Sequence, residues 1–381
     1  MLEQVPAPVP GLPAPPWARA VSVLDGCWDR VTGLRASLAV VALVALTVGR
    51  AGFGFEGDGT TWIELVRAFP EPLDDYRSNS VTGTALARLV GVDSIDGWIA
   101  LHLVVLLLVV VVVGRVIVDR FPTGEGRALA AIWVALGSAA PALTQKVGSY
   151  DPYVVLGVVL VTWGRRRGTA VVGGVLIGAT SAEQGIIGIV GAVVVAAALA
   201  DDVGDGVLGR LRRVTVLPVL GVGVAAVAAT RLALVAWYRA TGATVPSRAD
   251  VLGSFLGESL ANAATAGLAG VYAWLGLGWG LVVLAPLTLR WTRGQTVAVL
   301  AGLVALPAAV TVATLDGTRV FAMVSLPAYL VLLGRLVDAV GEGAVERTFV
   351  RRATVAALLA APLLPALLTS PGGEPHFVFP F

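Results

Sequence analysis

Cysteine is almost absent from this chain: Cys27 is the only one among 381 residues, and there are two histidines. A single thiol forms no internal disulfide, and no Cys/His spacing of the zinc type occurs, so structural-metal and redox readings fall away. Charge is scarce as well. Charged residues make up 14% of the chain, against roughly 25% in a soluble domain. The net charge of +2 gives no support to nucleic-acid binding. What remains is apolar: 57% hydrophobic residues and a mean hydropathy of +0.85. The sequence therefore predicts an all-α, polytopic transmembrane helix bundle whose core is buried in lipid.

Apolar stretches fall at 36–52, 98–118, 128–145, 151–164, 168–182, 185–200, 214–236, 264–289, 295–314, 319–337 and 353–369, about eleven spans. Those at 151–164, 168–182 and 185–200 are shorter than the roughly 20 residues of a full crossing. Short helices of that kind are tolerated where protein, not lipid, surrounds the backbone. Residues 1–35 are rich in proline and hold no signal peptide, because the apolar stretch starts too late. They read as a cytoplasmic tail, 36–369 as the transmembrane domain and 370–381 as a short outer tail. With Arg19, Arg30 and Arg35 inside, alternation places Arg115, Arg120, Arg127, Arg165–Arg167, Arg210–Arg213, Arg290, Arg293, Arg335, Arg347, Arg351 and Arg352 inside too, as the positive-inside rule requires. Alanine- and valine-rich spans with arginine favoured over lysine point to a prokaryotic plasma membrane.

The same threading gathers the remaining polar residues on the outer face. The first outer loop, 53–97, carries Glu56, Asp58, Asp74, Asp75, Tyr76 and Arg77. Within it, Trp62, Leu65, Val66 and Phe69 share a helical face, and Leu86, Leu89 and Val90 mark a second amphipathic piece, the pattern of helices lying along a membrane surface. Lys146 and Asp151 flank one outer turn, Glu183 and Gln184 occupy another, and Asp316 and Arg319 a third. A loop at 237–263 carries Arg239, Arg248, Asp250 and Glu258.

The first span, the Glu56-Gly57-Asp58 triplet just after it and the surface-helix pattern that follows resemble the GT-C class of integral membrane glycosyltransferases. The resemblance is detailed over roughly residues 1–120 and is one of span architecture beyond. It implies transfer of a sugar from a polyprenyl-phosphate donor to a glycan, lipid or protein acceptor at the outer face. Asp58 would be the general base, Glu56 its neighbour and Asp75 the alternative base. Arg319, Lys146 and Arg77 would face the carrier phosphate, with Asp316, Glu183, Gln184, Asp151 and Tyr76 lining the site. The resemblance fixes no cofactor; a divalent cation is left open, and no metal ligands are assigned. Members of the class often carry a soluble outer domain after the spans, and residues 370–381 form only a short tail, so the acceptor is not named.

Each of these residues also has a plainer reading. Glu56 and Asp58 suit a solvated glycine-rich turn, and Asp74 and Asp75 an ordinary polar turn after Pro70-Glu71-Pro72. Asp151 before Pro152 suits a helix N-cap. Asp316 and Arg319, three apart, suit a local pair. Glu183 suits an exposed hairpin or, if sunk in the bilayer, a functional acid. Gly174 and Gly178 suit helix packing, and His102 packs near Trp98. Two other activities compete: a transporter or flippase, against which stands the lack of an inverted repeat, and a polysaccharide polymerase or ligase, which tends to carry its large loop late in the chain.

Overall fold

The computed structural model describes residues 22–23, 25–26, 52–55, 59–200, 217–246, 248–312, 314, 316–364, 366–369 and 375–378. These form an all-helical bundle with one short β-ribbon near the C-terminal end. Helices α1 (Gly59–Ala68) and α2 (Val81–Leu89) precede α3 (Ile95–Arg120). Then come α4 (Gly124–Leu136), α5 (Ala139–Gln145), α6 (Asp151–Trp163), α7 (Arg167–Gly178), α8 (Ala182–Ala198) and α9 (Leu217–Thr241). The rest are α10 (Arg248–Leu275), α11 (Trp279–Leu289), α12 (Arg293–Leu300), α13 (Leu306–Thr311), α14 (Gly317–Gly341) and α15 (Arg347–Ala360). Strands β1 (Ala366–Thr369) and β2 (Pro375–Val378) pair antiparallel, Ala366 opposite Val378.

Among the described residues, five stretches are long and apolar enough to cross a membrane: Ile95–Arg120, Pro218–Thr241, Gly253–Leu289, Arg293–Thr311 and Gly317–Gly341. The pair α4 and α5, bent by 55°, would make a sixth. α3 shows why lipid is the fitting solvent. Leu107 and Leu108 are 62% and 56% exposed beside Val104 and Val111, a contiguous apolar stripe that water would not tolerate on a monomer. α14 is the opposite case, the central post, with Phe321, Val324, Leu330 and Leu333 buried. Two buried polar groups near it are satisfied: Tyr329 donates to the Trp133 carbonyl at 2.9 Å, and Trp163 Nε1 to the Leu330 carbonyl at 3.0 Å.

Several expectations are corrected. The first expected span, 36–52, lies outside the described residues except Gly52. The span at 128–145 is two helices, broken at Gly137 and Ser138, where Ser138 Oγ turns to the Trp274 carbonyl at 2.5 Å. The expected loop at 237–263 is mostly helix: α9 runs on to Thr241 and α10 starts at Arg248. α10 is itself interrupted at Gly267, whose φ of 50° and ψ of −134° only glycine adopts readily. The span at 295–314 contains a π-helical segment at 301–305. The last expected span, 353–369, stops as helix at Ala360, because Pro362 has no N–H to continue the ladder. Residues 366–369 are strand instead.

The short helices α6 and α8 are largely buried in the bundle, whereas α7 keeps an exposed apolar face at Val171, Val172 and Val175. Gly178, near the end of α7, packs against α9: a methyl group there would sit 2.8 Å from the Val227 carbonyl and 2.8 Å from Thr230. α9 then continues to Thr241, about 16 Å further at 1.5 Å per residue. The segment between α1 and α3 fills that step. Val81 N–H donates to the Ala179 carbonyl and Ser80 Oγ to the Thr180 carbonyl, each at 2.8 Å. Tyr238 donates to the Ser78 carbonyl at 2.7 Å, and Asn79 Nδ2 to the Pro246 carbonyl at 2.9 Å. α1 and α2 form a small core of their own with Trp98, Trp62 stacking on Trp98 at 5.4 Å. Leu89 and Val90 stay exposed, as a surface-lying piece requires.

The two ends of the bundle differ in chemistry. One end is held by arginine: Arg120 grips Asp338 with contacts of 3.1 and 2.5 Å, and Arg351 grips Glu125 at 2.7 and 2.9 Å. The other end carries the turns between α5 and α6 and between α13 and α14, under the roof of the first loop.

Candidate functional site

The turn from α5 to α6 is fixed from three sides. Gly148 takes φ +99°, a conformation that favours glycine. Its carbonyl accepts from Trp98 Nε1 at 3.0 Å. Val147 pairs with Phe55 in a parallel bridge, its N–H donating to the Gly54 carbonyl at 3.0 Å. This geometry presents Lys146, Tyr150 and Asp151. Lys146 is the single lysine of the chain. Asp151 is the first residue of α6, and Tyr150, not Asp151, is the N-cap, which corrects the capping expectation. A carboxylate there still gains from the helix dipole.

α14 begins beside this turn. Asp316 is its N-cap residue, yet its side chain makes no capping hydrogen bond. The carboxylate turns instead to two cations, 3.7 Å from Lys146 Nζ and 3.3 Å from Arg319 Nε. Arg319 Nε is also 3.7 Å from Asp151, whose side chain is 1% exposed. The guanidinium lies 5.5 Å from the Tyr150 ring centre. Lys146, Asp316, Arg319 and Asp151 thus form one chain of charges from two separate turns. The contacts are longer than the 2.7–2.9 Å of a tight charge-assisted hydrogen bond.

Tyr76 adjoins this cluster. Burial pushes its phenol above its ordinary value, against the opposing pull of Arg77, and Tyr150 and Arg319 are also felt there. Asp75 and Arg77 are tied to each other: Asp75 accepts from the Arg77 backbone N–H at 2.7 Å and from its guanidinium at 3.1 Å. Asp74 accepts from Thr244 at 3.1 Å.

Glu183 and Gln184 sit one helix away, on the first turn of α8. Gly188 packs on the Val324 carbonyl and Pro327, so α8 runs alongside α14 and the first turns of the two helices lie level. Glu183 is not buried; its side chain is 43% exposed and pairs with Arg231 at 3.5 Å. Gln184 Oε1 is buried and has no hydrogen-bond partner among the described residues. Glu56 and Asp58 lie outside the described residues. Sequence reasoning passed over Arg231 and Tyr150; an arginine inside the apolar stretch 214–236 was the available signal for the first. His102 is a packing residue, its ring 4.0 Å from that of Trp98 and 5.9 Å from that of Tyr153.

From this end an apolar groove of about 250 Å³ runs between α3, α4, α5, α6 and α14, lined by Phe53, Leu107, Leu143, Val159 and Leu326 among others. Its lining on α3 extends from Leu103 to Ile117, about 21 Å of helix. Thr144, two residues before Lys146, lines it too. Among the described residues no three His, Cys, Asp or Glu side chains converge as a metal centre.

No known family model matches this chain, and neither a curated protein nor a solved structure matches it.

Proposed function

We propose that this chain is a GT-C-like membrane glycosyltransferase that moves a sugar from a polyprenyl-phosphate carrier to an acceptor at the extracytoplasmic face. The observation that carries this reading is the Lys146–Asp316–Arg319–Asp151 cluster at one end of an apolar groove. A lipid phosphate has the same two-part character, an anionic head on a long apolar tail. In this reading the chain crosses the membrane about eleven times: the apolar stretch 36–52, then ten passages from α3 to α15, with the N-terminus cytoplasmic.

The acceptor oxygen attacks the anomeric carbon while Asp58 takes its proton. The bond from that carbon to the phosphate oxygen breaks, and the electron pair leaves with the phosphate. Arg319 and Lys146 stabilise the charge that develops there. Residues 56–58 are reached from Phe55, bridged next to Lys146, and from Gly59, packed on Ile95. Both flanks belong to the end of the bundle that holds the ionic cluster, which supports Asp58 as the base.

Native mass spectrometry of gently purified protein tests this. A co-purified polyprenyl phosphate or its sugar ester, lost in Arg319→Ala and kept in Asp58→Asn, is the expected result. Ordinary phospholipid alone, across repeated preparations, overturns it. Two observations favour a second reading, a transporter or flippase: the Arg231–Glu183 pair lies level with the interior of α9, and α10 is broken, as transporter helices are. Substrate flux across sealed vesicles without chemical change would favour that reading.

A further inference from the structure

The turn from α6 into α7 carries three consecutive arginines, Arg165, Arg166 and Arg167, all exposed. Arg165 donates to the Arg120 carbonyl at 2.9 Å, which fixes this turn at the arginine-held end of the bundle. Charge at that end is mostly neutralised. Arg115 pairs with Asp119, Arg120 with Asp338, Arg351 with Glu125 and Arg352 with Asp25. Arg165, Arg166 and Arg167 have no carboxylate within ion-pair distance among the described residues. They form a patch of uncompensated positive charge.

α7 carries the patch on into the bilayer as an apolar face. Two of its sides are taken: Gly173 packs on the Gly157 carbonyl of α6, and Gly174 on the Gly223 carbonyl of α9. The open side holds Val171, Val172 and Val175, 43%, 54% and 43% exposed. Arg167, Val171 and Val175 follow at intervals of four and so share a face, with the arginine at its end. From Arg167 to Val175 is about 12 Å of helix, most of the roughly 15 Å depth of one leaflet. Arg166, the N-cap residue, gives no side-chain cap, and a side chain at Gly168 would meet nothing within 4 Å. The positive end of the helix dipole is thus open beside the three guanidinium groups.

We infer that this face seats an anionic phospholipid, its phosphate against Arg165–Arg167 and an acyl chain along Val171, Val172 and Val175. Charge complementarity selects the head group: three uncompensated arginines attract a lipid of net negative charge, and attract far less one whose own cation cancels its phosphate. The valines select a lipid over a soluble polyanion, which would engage the arginines alone. The site lies at the opposite end of the bundle from the Lys146–Asp316–Arg319–Asp151 cluster and does not depend on what that cluster binds.

The test uses full-length protein in phosphatidylcholine nanodiscs. One sample contains a small fraction of phosphatidylglycerol with a photoreactive acyl chain, the other phosphatidylcholine with the same chain. Cross-links are mapped by peptide mass spectrometry. In wild type the anionic probe should label 168–178 about tenfold more than the zwitterionic one, on the scale set by arginines meeting an anionic surface. Arg165→Gln, Arg166→Gln and Arg167→Gln together should abolish that preference. Equal labelling of the exposed α3 stripe at Leu107 and Leu108 by both probes, as in wild type, shows that the triple variant folds. Arg290→Gln with Arg293→Gln, exposed arginines between α11 and α12, should keep the preference. Equal labelling of α7 by the two probes in wild type, or a preference kept by the triple variant, overturns the inference. So does a preference lost in the Arg290 and Arg293 variant, which would reduce the effect to general surface charge. Displacement of the anionic probe by a soluble polyphosphate at lower concentration than the lipid would give the arginines to a soluble anion, and also overturns it.

Discussion

Arg319 Nε stands 3.7 Å from the carboxylate of Asp151, an acid with 1% of its side chain exposed. Lost, that cation leaves an ionised group buried without its charge partner. Breaking one side of a buried pair costs about 3–5 kcal/mol. Arg319→Ala should therefore lower unfolding stability on that scale, and Arg319→Ala combined with Asp151→Asn should recover most of it. Equilibrium unfolding in detergent reads both. Equal loss in the single and double variants would show that the pair is not coupled.

Asp316 holds two cations that a phosphate would need. Asp316→Asn removes the competing charge and should tighten binding of a polyprenyl phosphate several-fold, while freeing Lys146. Because Lys146 is the only lysine, amine acylation followed by peptide mapping reads its accessibility without side-chain background. Weaker phosphate binding in Asp316→Asn would mean that the carboxylate positions the cations and does not compete for them.

How far the sequence reached can be judged from these residues. Lys146, Asp151, Asp316 and Arg319 were each legible because each sits where an apolar stretch ends, and threading alone put them at one end of the bundle. That they touch depends on contacts distant in sequence: the bridge from Phe55 to Val147, and the hydrogen bond from Trp98 to Gly148. α10 was half hidden for a similar reason: residues up to 263 read as a loop and those from 264 as a span, and they join into one helix, kinked at Gly267, that packs beside α14. The end of α15 was legible in Pro362 and was passed over. Arg231 was in view as a lone charge, but its partner Glu183 belongs to another helix.

Gly178 has no room for a side chain against α9. Gly178→Val should cost about 1–3 kcal/mol through overpacking, and should also loosen the segment between α1 and α3, since Ser80 and Val81 bond to residues 179 and 180 just beyond. Faster hydrogen exchange at 78–82 along with the stability loss is the expected pair of results. Stability loss alone would separate the helix seam from the loop.

Orientation is testable with one reactive residue at a time. With Cys27 replaced by serine, a cysteine at Thr241, exposed at the end of α9, should react with an impermeant maleimide on intact cells. A cysteine at Gly294, exposed beside the Thr292 cap of α12, should react only after lysis. The reverse pattern would invert the topology and put the ionic cluster in the cytoplasm.

The three candidate bases separate by what else each one does. Asp75 caps the Tyr76–Asn79 turn and pairs with Arg77, so Asp75→Asn should cost stability of about 1 kcal/mol and change activity only as far as that turn moves. Asp58→Asn should cut transfer by about 10²–10⁴, the contribution of a positioned general base, and leave both stability and carrier binding unchanged. Glu56→Gln, next to it, should fall between. The decisive measurement is transfer rate at saturating donor beside carrier affinity for all three variants. If Asp75→Asn shows the large loss with normal folding and Asp58→Asn does not, the proton goes to Asp75. The roof over the ionic cluster would then be the catalytic element.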